Sequence, residues 1–539
     1  MSDTNPFGNL HYFDSSWVKP TREGVTADLC IYGGTAAGVV AAAKAARLGL
    51  QVVLLQPGRH LGGMTTGGLG WTDYGRKHVI GGMALQFYRD VGRLYGEPEE
   101  WHFEPRVAQR VMDELAGTRG VRVLRCQYLD RVAIEGHRIA GLILLGGLEV
   151  KARVFIDTSY EGDLMAAARV TFAVGREANS VYGETLNGIQ VRRQHQFSHP
   201  VDPYVKAGDP ASGLLPHIEA EDLSARQGQG DRRVQAYNFR MCMTDDPTLK
   251  IDWPLPEIFD PQDYVLATRW FQGEKDAYNE QLSHAVKPEA VPGKFDILPN
   301  RTAGGFHKTD TNNHGPVSSD FIGANYDWPA GDYETRERIF QRHVAYQMGF
   351  YWHMANSPEV PAHYRRAYQR WGLPSDEFVD TGHWPHQLYV REARRMVSDY
   401  VITETDCHGT RRPDDPIGMA SYTMDSHNCA RFVKIEDSRA RVLNEGDVQV
   451  PPTDPYPVSY RAIVPRRGEC ENLLVPVCMS ASHIAYGSAR MEPVFMLLGE
   501  SAAQAAALAV KRDCPVQAVP YPPLREALLA ANQILALPA

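Results

Sequence analysis

Apolar positions in this 539-residue chain gather in three places. Near the start, an apolar run at Ala27–Tyr32 leads into a Gly-rich turn, an Ala-rich stretch with helical spacing and a second apolar run at Gln51–Leu55. That order predicts a βαβ unit with its two strands in a parallel sheet. Residues 121–157 carry three more runs, VRVLRCQYL, RVAIEGHRIAGLILL and LEVKARVFID, separated at Gly136 and at Gly146-Gly147. Their spacing predicts short strands of a β-meander, and a short helix follows at Leu164–Ala168. Toward the C-terminus, Asn472–Cys478 predicts a buried strand, Met479–Met491 a loop, and Pro493–Val510 a long apolar helix. Pro493 sits near the helix start, where a missing N–H costs nothing.

Between about 179 and 395 the periodicity breaks, and Pro, aromatic and charged residues become frequent. Helices are expected around 332–355 and 387–398. Pro299-Asn300-Arg301 and Lys308–Gly315 are dense in polar groups and read as loops. This middle stretch predicts an inserted domain with helices and irregular connections. The expected organisation is a nucleotide domain over 24–178, an insert over 179–395, a return over 396–515 and a tail over 516–539. No repeat or low-complexity tract interrupts it.

Composition narrows the classes of function. The length prior gives roughly three to four domain equivalents. A hydrophobic content of 43% and a charged content of 22% are ordinary for a globular protein. A net charge of −9 argues against nucleic acid or an anionic membrane as the main partner. No run of 18 apolar residues is present, and the first residues lack the pattern of a secretory signal, so a cytoplasmic location is expected. The eight cysteines form no C-x-x-C pair and no zinc spacing, which suits small buried residues in a reducing compartment and no metal.

The turn after the first strand, Gly33-Gly34-Thr35-Ala36-Ala37-Gly38, carries the first chemistry. Glycine at 33 lets the chain turn sharply, and the following amides can approach a pyrophosphate at a helix N-terminus. Gly38 and the alanines after it let the helix pack close. The G-x-G-x-x-G pattern would place glycine at 35, where this chain has Thr35. The second strand ends at Gln56-Pro57 where an acid would bond the adenosine ribose; Gln56 can still bond ribose hydroxyls. With no repelling charge there and Arg59 nearby, NADP is not excluded by this turn. A second Gly-rich stretch, His60-Leu61-Gly62-Gly63-Met64-Thr65-Thr66-Gly67-Gly68, offers backbone without side chains to a large flat cofactor.

Several segments together resemble the FAD-dependent oxidoreductase family with a glutathione-reductase-like FAD-binding fold: GGTAAG (33–38), HLGGMTTGGLGWTD (60–73), DTSYEGDL (157–164), KTDTNNHG (308–315), REARRM (391–396), SYTMDSH (421–427) and ASHIAYGSARMEP (481–493). The resemblance implies an α/β fold: a Rossmann-like FAD-binding domain, with parallel sheet and β-meander, and an inserted α+β substrate domain. It implies FAD as cofactor. It places Thr158 and Asp163 where the chain returns to the cofactor, and Ser482 and Glu492 around the last strand and helix, whose N-terminus faces the flavin pyrimidine.

Catalysis by such an enzyme needs a base for the substrate's proton. His483, in the loop expected to pass the flavin, and His427, beside Tyr422, Asp425 and Ser426, are the candidates. With Glu392 beside them, Arg391 would share a helix face with Arg394 and with Arg395 and could clamp an anion; the group equally suits a solvated face or an ion pair between domains. Lys308, Asp310, Asn312, Asn313 and His314 suit a polyhydroxylated substrate. Attachment of the flavin through His60 or a cysteine stays open. Three readings follow: an FAD oxidoreductase taking a hydride from a small polar substrate, for which a sugar or polyol is the guess; an NAD(P)H-dependent flavin reductase, for which no second nucleotide turn is found; and a flavin-fold binding or scaffold protein with a weak or lost cofactor. The sequence assigns neither the electron acceptor nor the oligomeric state.

Overall fold

The strand β1 (Gly24–Tyr32) lies inside a seven-stranded sheet, and its last four residues are all buried, as expected of a parallel strand covered on both faces. This is a computed structural model, and it describes residues 7–278, 294–299 and 304–537. Asn300 and Arg301, expected in a polar loop, lie outside those residues. After β1 come helix α1 (Ala36–Arg47), strand β2 (Val52–Gln56), helices α2 (Gly82–Tyr95) and α3 (Pro105–Ala116), and strands β3 (Val121–Arg125), β4 (Leu129–Glu135), β5 (Arg138–Leu144) and β6 (Glu149–Asp157). The order across the sheet is β3-β2-β1-β6-β5-β4, with the late strand Leu473–Leu474 paired to β6.

The expected meander over 121–157 is therefore split. β3 runs parallel to β2, with Val52 opposite Val121, and β6 runs parallel to β1, with Leu29 opposite Val154. Only β4, β5 and β6 pair antiparallel. All belong to one sheet, because β6 is apolar enough at its end to be buried beside β1.

Two layers cover that sheet. α1 is nearly all Ala, Val and Gly, and nine of its twelve residues are buried. It packs against the helix Glu492–Arg512, where Gly499 faces the Ala37 carbonyl so closely that a Cβ would collide with it. Small residues on both helices thus set the close approach. The helix Glu492–Arg512 is long and apolar enough to cross a membrane, yet its apolar window is 89% buried inside the protein. On the other face, Cys30, Tyr32, Val53, Leu55, Phe155, Met165, Val475 and Cys478 form part of one apolar core.

The chain divides into two compact units. The nucleotide unit comprises Tyr12–Asn187, Val390–Asp425 and Gln449–Ala539, and the insert unit comprises the residues up to His11, Gly188–Tyr389 and Ser426–Val448. These bounds differ from the expected 24–178, 179–395, 396–515 and 516–539: the strand pair Ala430–Glu436 and Arg439–Glu445 falls in the insert unit, and the expected tail carries a helix, Tyr521–Ala530, in the nucleotide unit. Within the insert unit, Lys308–Asn312 is the central strand of a three-stranded antiparallel sheet, flanked by Lys294–Ile297 and Met241–Thr244. The helix expected at 332–355 is present as Tyr333–Asn356, capped by Asp332.

The helix expected at 387–398 is absent. Arg394–Met396 is a short strand paired antiparallel with Phe172–Val174, and the Met396 and Val397 amides bond Cys478 and Thr171 carbonyls. Long-range backbone partners override a local spacing that suits a helix. Likewise, the loop expected over 479–491 contains the helix His483–Ala489, and the buried strand expected over 472–478 is regular only at Leu473–Leu474.

Candidate active site

The cradle is built where β1 ends. Gly33 turns the chain at φ +106°, and a Cβ there would stand 2.5 Å from the Ser159 amide. β6 returns at this point: Thr158 Oγ1 donates to the Gly33 carbonyl at 2.5 Å, and its own carbonyl accepts from Thr35 Oγ1 at 2.8 Å. Thr35, the departure from the glycine pattern, is the N-cap of α1 and accepts the Gly38 amide at 3.3 Å. Among the described residues the amides of Ala36 and Ala37 have no acceptor, although both residues are fully buried. Two buried, unpaired amides at a helix N-terminus beside a Gly turn fit the pyrophosphate of a dinucleotide.

Gln56 stands at the end of β2, as expected, but its Oε1 accepts the Gly34 amide at 2.6 Å. It braces the turn instead of reaching outward. Pro57 follows it in the chain, and the Arg59 guanidinium lies 5.4 Å over the Trp17 ring. Asp157, at the end of β6, is fully buried and accepts the Ser159 amide, the Ser159 hydroxyl and the Met165 amide. Burial pushes its carboxyl up to about 6 against those bonds. Asp163 opens the helix Asp163–Ala167 but is not its cap, which is Gly162; its carboxylate is held by Arg394 at 2.7 Å.

The second Gly-rich segment lies directly against this turn. The Gly62 amide donates to the Gly34 carbonyl at 2.7 Å, and Gly62 and Gly63 take φ of +94° and +55°. Met64, Thr65 and Thr66 are buried, and Thr66 Oγ1 bonds the Leu61 carbonyl at 2.6 Å. Gly67 closes the turn onto the Met64 carbonyl at 3.1 Å. Glu492, the first residue of the long C-terminal helix, reaches this segment: Thr65 Oγ1 donates to it at 2.8 Å and Tyr160 OH at 2.7 Å. Nothing in the sequence around Tyr160 marks it for this place; its partners, the Met64 amide and Glu492, do. Further along, Tyr422 OH donates to Asp73 at 3.0 Å.

A second cluster of the same unit surrounds His483. Its side chain is 2% exposed, and Nδ1 lies 2.7 Å from Glu392, which is 0% exposed. Arg395 bonds the other oxygen of Glu392 at 2.8 Å, Glu177 at 2.7 Å and the carbonyls of Ala481 and Gly175. Glu177 accepts the His483 backbone amide at 3.0 Å, closing a ring of bonds. Burial raises the Glu177 carboxyl, but the Arg395 charge and these bonds outweigh it and hold it at about 2. His483 is the first residue of the helix His483–Ala489, and Ser482 is its cap, donating also to Glu184 at 2.6 Å. The Ser482 hydroxyl is thus bonded within the chain on both its donor and acceptor sides.

The expected arginine clamp does not form, since no helix aligns its members. Arg391 is buried, Arg394 is committed to Asp163, and Arg395 to Glu392 and Glu177. Glu177 carried no sequence signal, because the groups that tie it to this cluster, Arg395 and the His483 amide, lie more than 200 residues away.

In the insert unit, His427 Nδ1 lies 2.7 Å from Asp320, and its amide donates to Gln235 at 3.1 Å. His427 and His483 thus fall in different units, each with its own carboxylate. The polar tract at 308–315 is a strand as far as Asn312, and only its end is loop. Lys308 Nζ is buried between Asp376 at 2.9 Å and Glu377 at 2.7 Å, Asp310 pairs with Arg240, and Asn312 accepts from Asn238 at 3.2 Å. All eight cysteines are free. Cys478 donates to the Ser159 and Tyr160 carbonyls at 3.4 Å each, and burial pushes its thiol well up, which makes it inert packing under the cradle.

A family model described as FAD dependent oxidoreductase matches residues 28–528. No curated protein matches the chain. Among solved structures it is similar to L-proline dehydrogenase from P. horikoshii, at 15% identity over 29% of this chain and 59% of that chain with a TM-score of 0.24. It is also similar to L-amino acid deaminase from Proteus vulgaris, at 14% identity over 34% of this chain and 56% of that chain with a TM-score of 0.24. The chain spans less than two thirds of the length of either structure.

Proposed function

Given that the chain belongs to the FAD dependent oxidoreductase family, we propose that it oxidises a small polar substrate by hydride transfer to FAD, with His483 taking the substrate's proton. The observation that carries this reading is the buried His483–Glu392 pair, in the same unit as the pyrophosphate cradle. FAD, when bound, supplies the two-electron acceptor. The unpaired amides of Ala36 and Ala37 would hold its pyrophosphate, and the 62–67 segment would run beneath it.

A substrate CH–OH or CH–NH₂ group loses a hydride from carbon and a proton from oxygen or nitrogen. His483 receives the proton at Nε2, because the bond from Nδ1 to Glu392 fixes the tautomer that leaves Nε2 basic. Glu392 then stabilises the imidazolium, and Arg395 balances the two carboxylates around it. The pairing resembles other sites in which a carboxylate orients a catalytic histidine. Lys308, Asp310 and Asn312 of the polar tract that suggested a sugar or polyol are held in internal pairs, so the substrate class rests on the alcohol or amine chemistry; sugars and polyols are the first compounds to screen.

The test is anaerobic reduction of the bound flavin by a substrate panel, repeated with His483→Ala. The variant is expected to keep FAD and to reduce it about 10²–10⁴-fold more slowly, the usual share of a general base. Unchanged reduction refutes the assignment, and loss of FAD moves His483 to a cofactor-holding role.

A further inference from the structure

Glu492 is a buried carboxyl group with an unusual set of partners. It is 5% exposed and accepts from Thr65 Oγ1 and Tyr160 OH, one on each oxygen. The Tyr160 oxygen in turn accepts the Met64 amide at 2.9 Å. Three separated segments therefore meet at one group: the Gly-rich turn at 62–67, the β6 return at 157–164, and the start of the long helix. No cation lies within ion-pair distance of Glu492 among the described residues. The nearest ion pair on its helix, Lys44 with Glu500 at 2.8 Å, is two turns away and is closed on itself.

We propose that Glu492 is a positioning residue for the cofactor: its ionised carboxylate pins the 62–67 segment in the shape that receives FAD, and protonation releases that segment, so FAD is held more loosely on acidification. The inference rests on FAD binding and is independent of the role given to His483.

The direction follows from the donors. Tyr160 and Thr65 each aim one O–H at the carboxyl, an arrangement that two anionic oxygens satisfy. A proton on Glu492 removes the charge from both bonds and forces one hydroxyl to turn from donor to acceptor, which weakens the tie to the 62–67 side. The first turn of a 21-residue helix also favours the anion. Burial opposes it and brings the group up to about 7 against the bonds from Tyr160 and Thr65. The other titratable groups facing it are Tyr160, its bonded donor, and Tyr88 on α2, which burial keeps neutral. Neither supplies a positive charge, so the change falls near neutral pH.

The experiment titrates apoprotein with FAD, follows flavin fluorescence, and reads Kd between about pH 5.5 and 8.5, a window that brackets the group. Wild type is expected to weaken about tenfold as pH falls through neutrality, the effect of roughly one lost bond to a charged group. Glu492→Gln is expected to be weak and flat across the window. Tyr160→Phe keeps the carboxyl but removes one donor to the anion, so its inflection is expected at higher pH; this variant carries the test if Glu492→Gln does not fold. Equal pH dependence in wild type and Glu492→Gln, or an unmoved inflection in Tyr160→Phe, overturns the inference. FAD binding that is tight but pH-independent overturns this inference alone; no FAD binding by wild type at any pH overturns the proposed function with it.

Discussion

Gly38→Ala sets two effects of opposite sign against each other. Gly38 is the third residue of α1, where alanine would improve helix propensity by about 1 kcal/mol. Against that, a Cβ at this position would fall well inside contact with the Gly33 carbonyl oxygen and 2.7 Å from Thr158 Oγ1. Both neighbours are fixed: the Gly33 carbonyl is bonded by Thr158, and Thr158 also bonds the Tyr32 carbonyl at 3.1 Å. The new methyl meets backbone, so the helix start must move away from the β1–β6 junction. Forcing an extra carbon into packed structure costs about 1–3 kcal/mol, and a contact this close belongs at the upper end. The net loss is about 1–2 kcal/mol, and it falls on the amides of Ala36 and Ala37. FAD affinity is therefore expected to drop about tenfold, since 1.4 kcal/mol is one decade. The assay is FAD titration of the apoprotein, with Gly24→Ala as control. Gly24 has nothing within 4 Å of its built Cβ, so that change is expected within about 0.5 kcal/mol of wild type. A Gly38→Ala protein that binds FAD as tightly as wild type would refute the close approach of helix and strand at this turn.

Two further outcomes are expected. Lys308→Met leaves the carboxylate of Glu377, which is 1% exposed, without its cation, so the insert unit should lose about 3–5 kcal/mol in urea unfolding; a lysine on a surface loop would shift it by about 0.5 kcal/mol or less. Glu177, held at about 2 against an ordinary 4.5, is an acid with a depressed folded value, so its stabilisation is present above 4.5 and is lost as pH falls from there toward 2. Glu177→Gln should start less stable at neutral pH and lose less across that window; an acid limb parallel to wild type counts against the Arg395 network.

The parts of the fold that could be read from the chain are those whose partners are near in sequence. The first strand, α1 and β2 follow from apolar spacing and one Gly turn, and the helix Tyr333–Asn356 from its own periodicity and Asp cap. What escaped was set by distant partners. Arg391, Arg394 and Arg395 have the spacing of a helix face, yet the backbone around them is claimed by Thr171 and Cys478. Lys308 and Asp310 have the composition of a loop, yet each charge meets its opposite from another segment, which lets a polar run become a central strand. The site divides in the same way. The Gly33–Gly38 turn and His483 can be named as candidates from the sequence, whereas Glu392 as the His483 partner, Glu177 and Tyr160 depend on contacts across the chain. Thr35 and Gln56, which looked like damage to a nucleotide motif, are its braces.

The pairing of Leu473–Leu474 with β6 gives the protein a history as well as a shape. The strand that leads into Gly33 leaves the ribosome more than four hundred residues before the strand that completes its sheet, and Glu492 comes later still. At translation rates of roughly 5–20 residues per second, the nascent chain spends on the order of a minute with a cradle but no closing helix. During that interval β6 has an unpaired edge and the 62–67 segment has no carboxyl to hold it. FAD therefore meets a finished site only after synthesis is nearly done, and loading of the cofactor becomes a reading of whether the last tenth of the chain has arrived and docked.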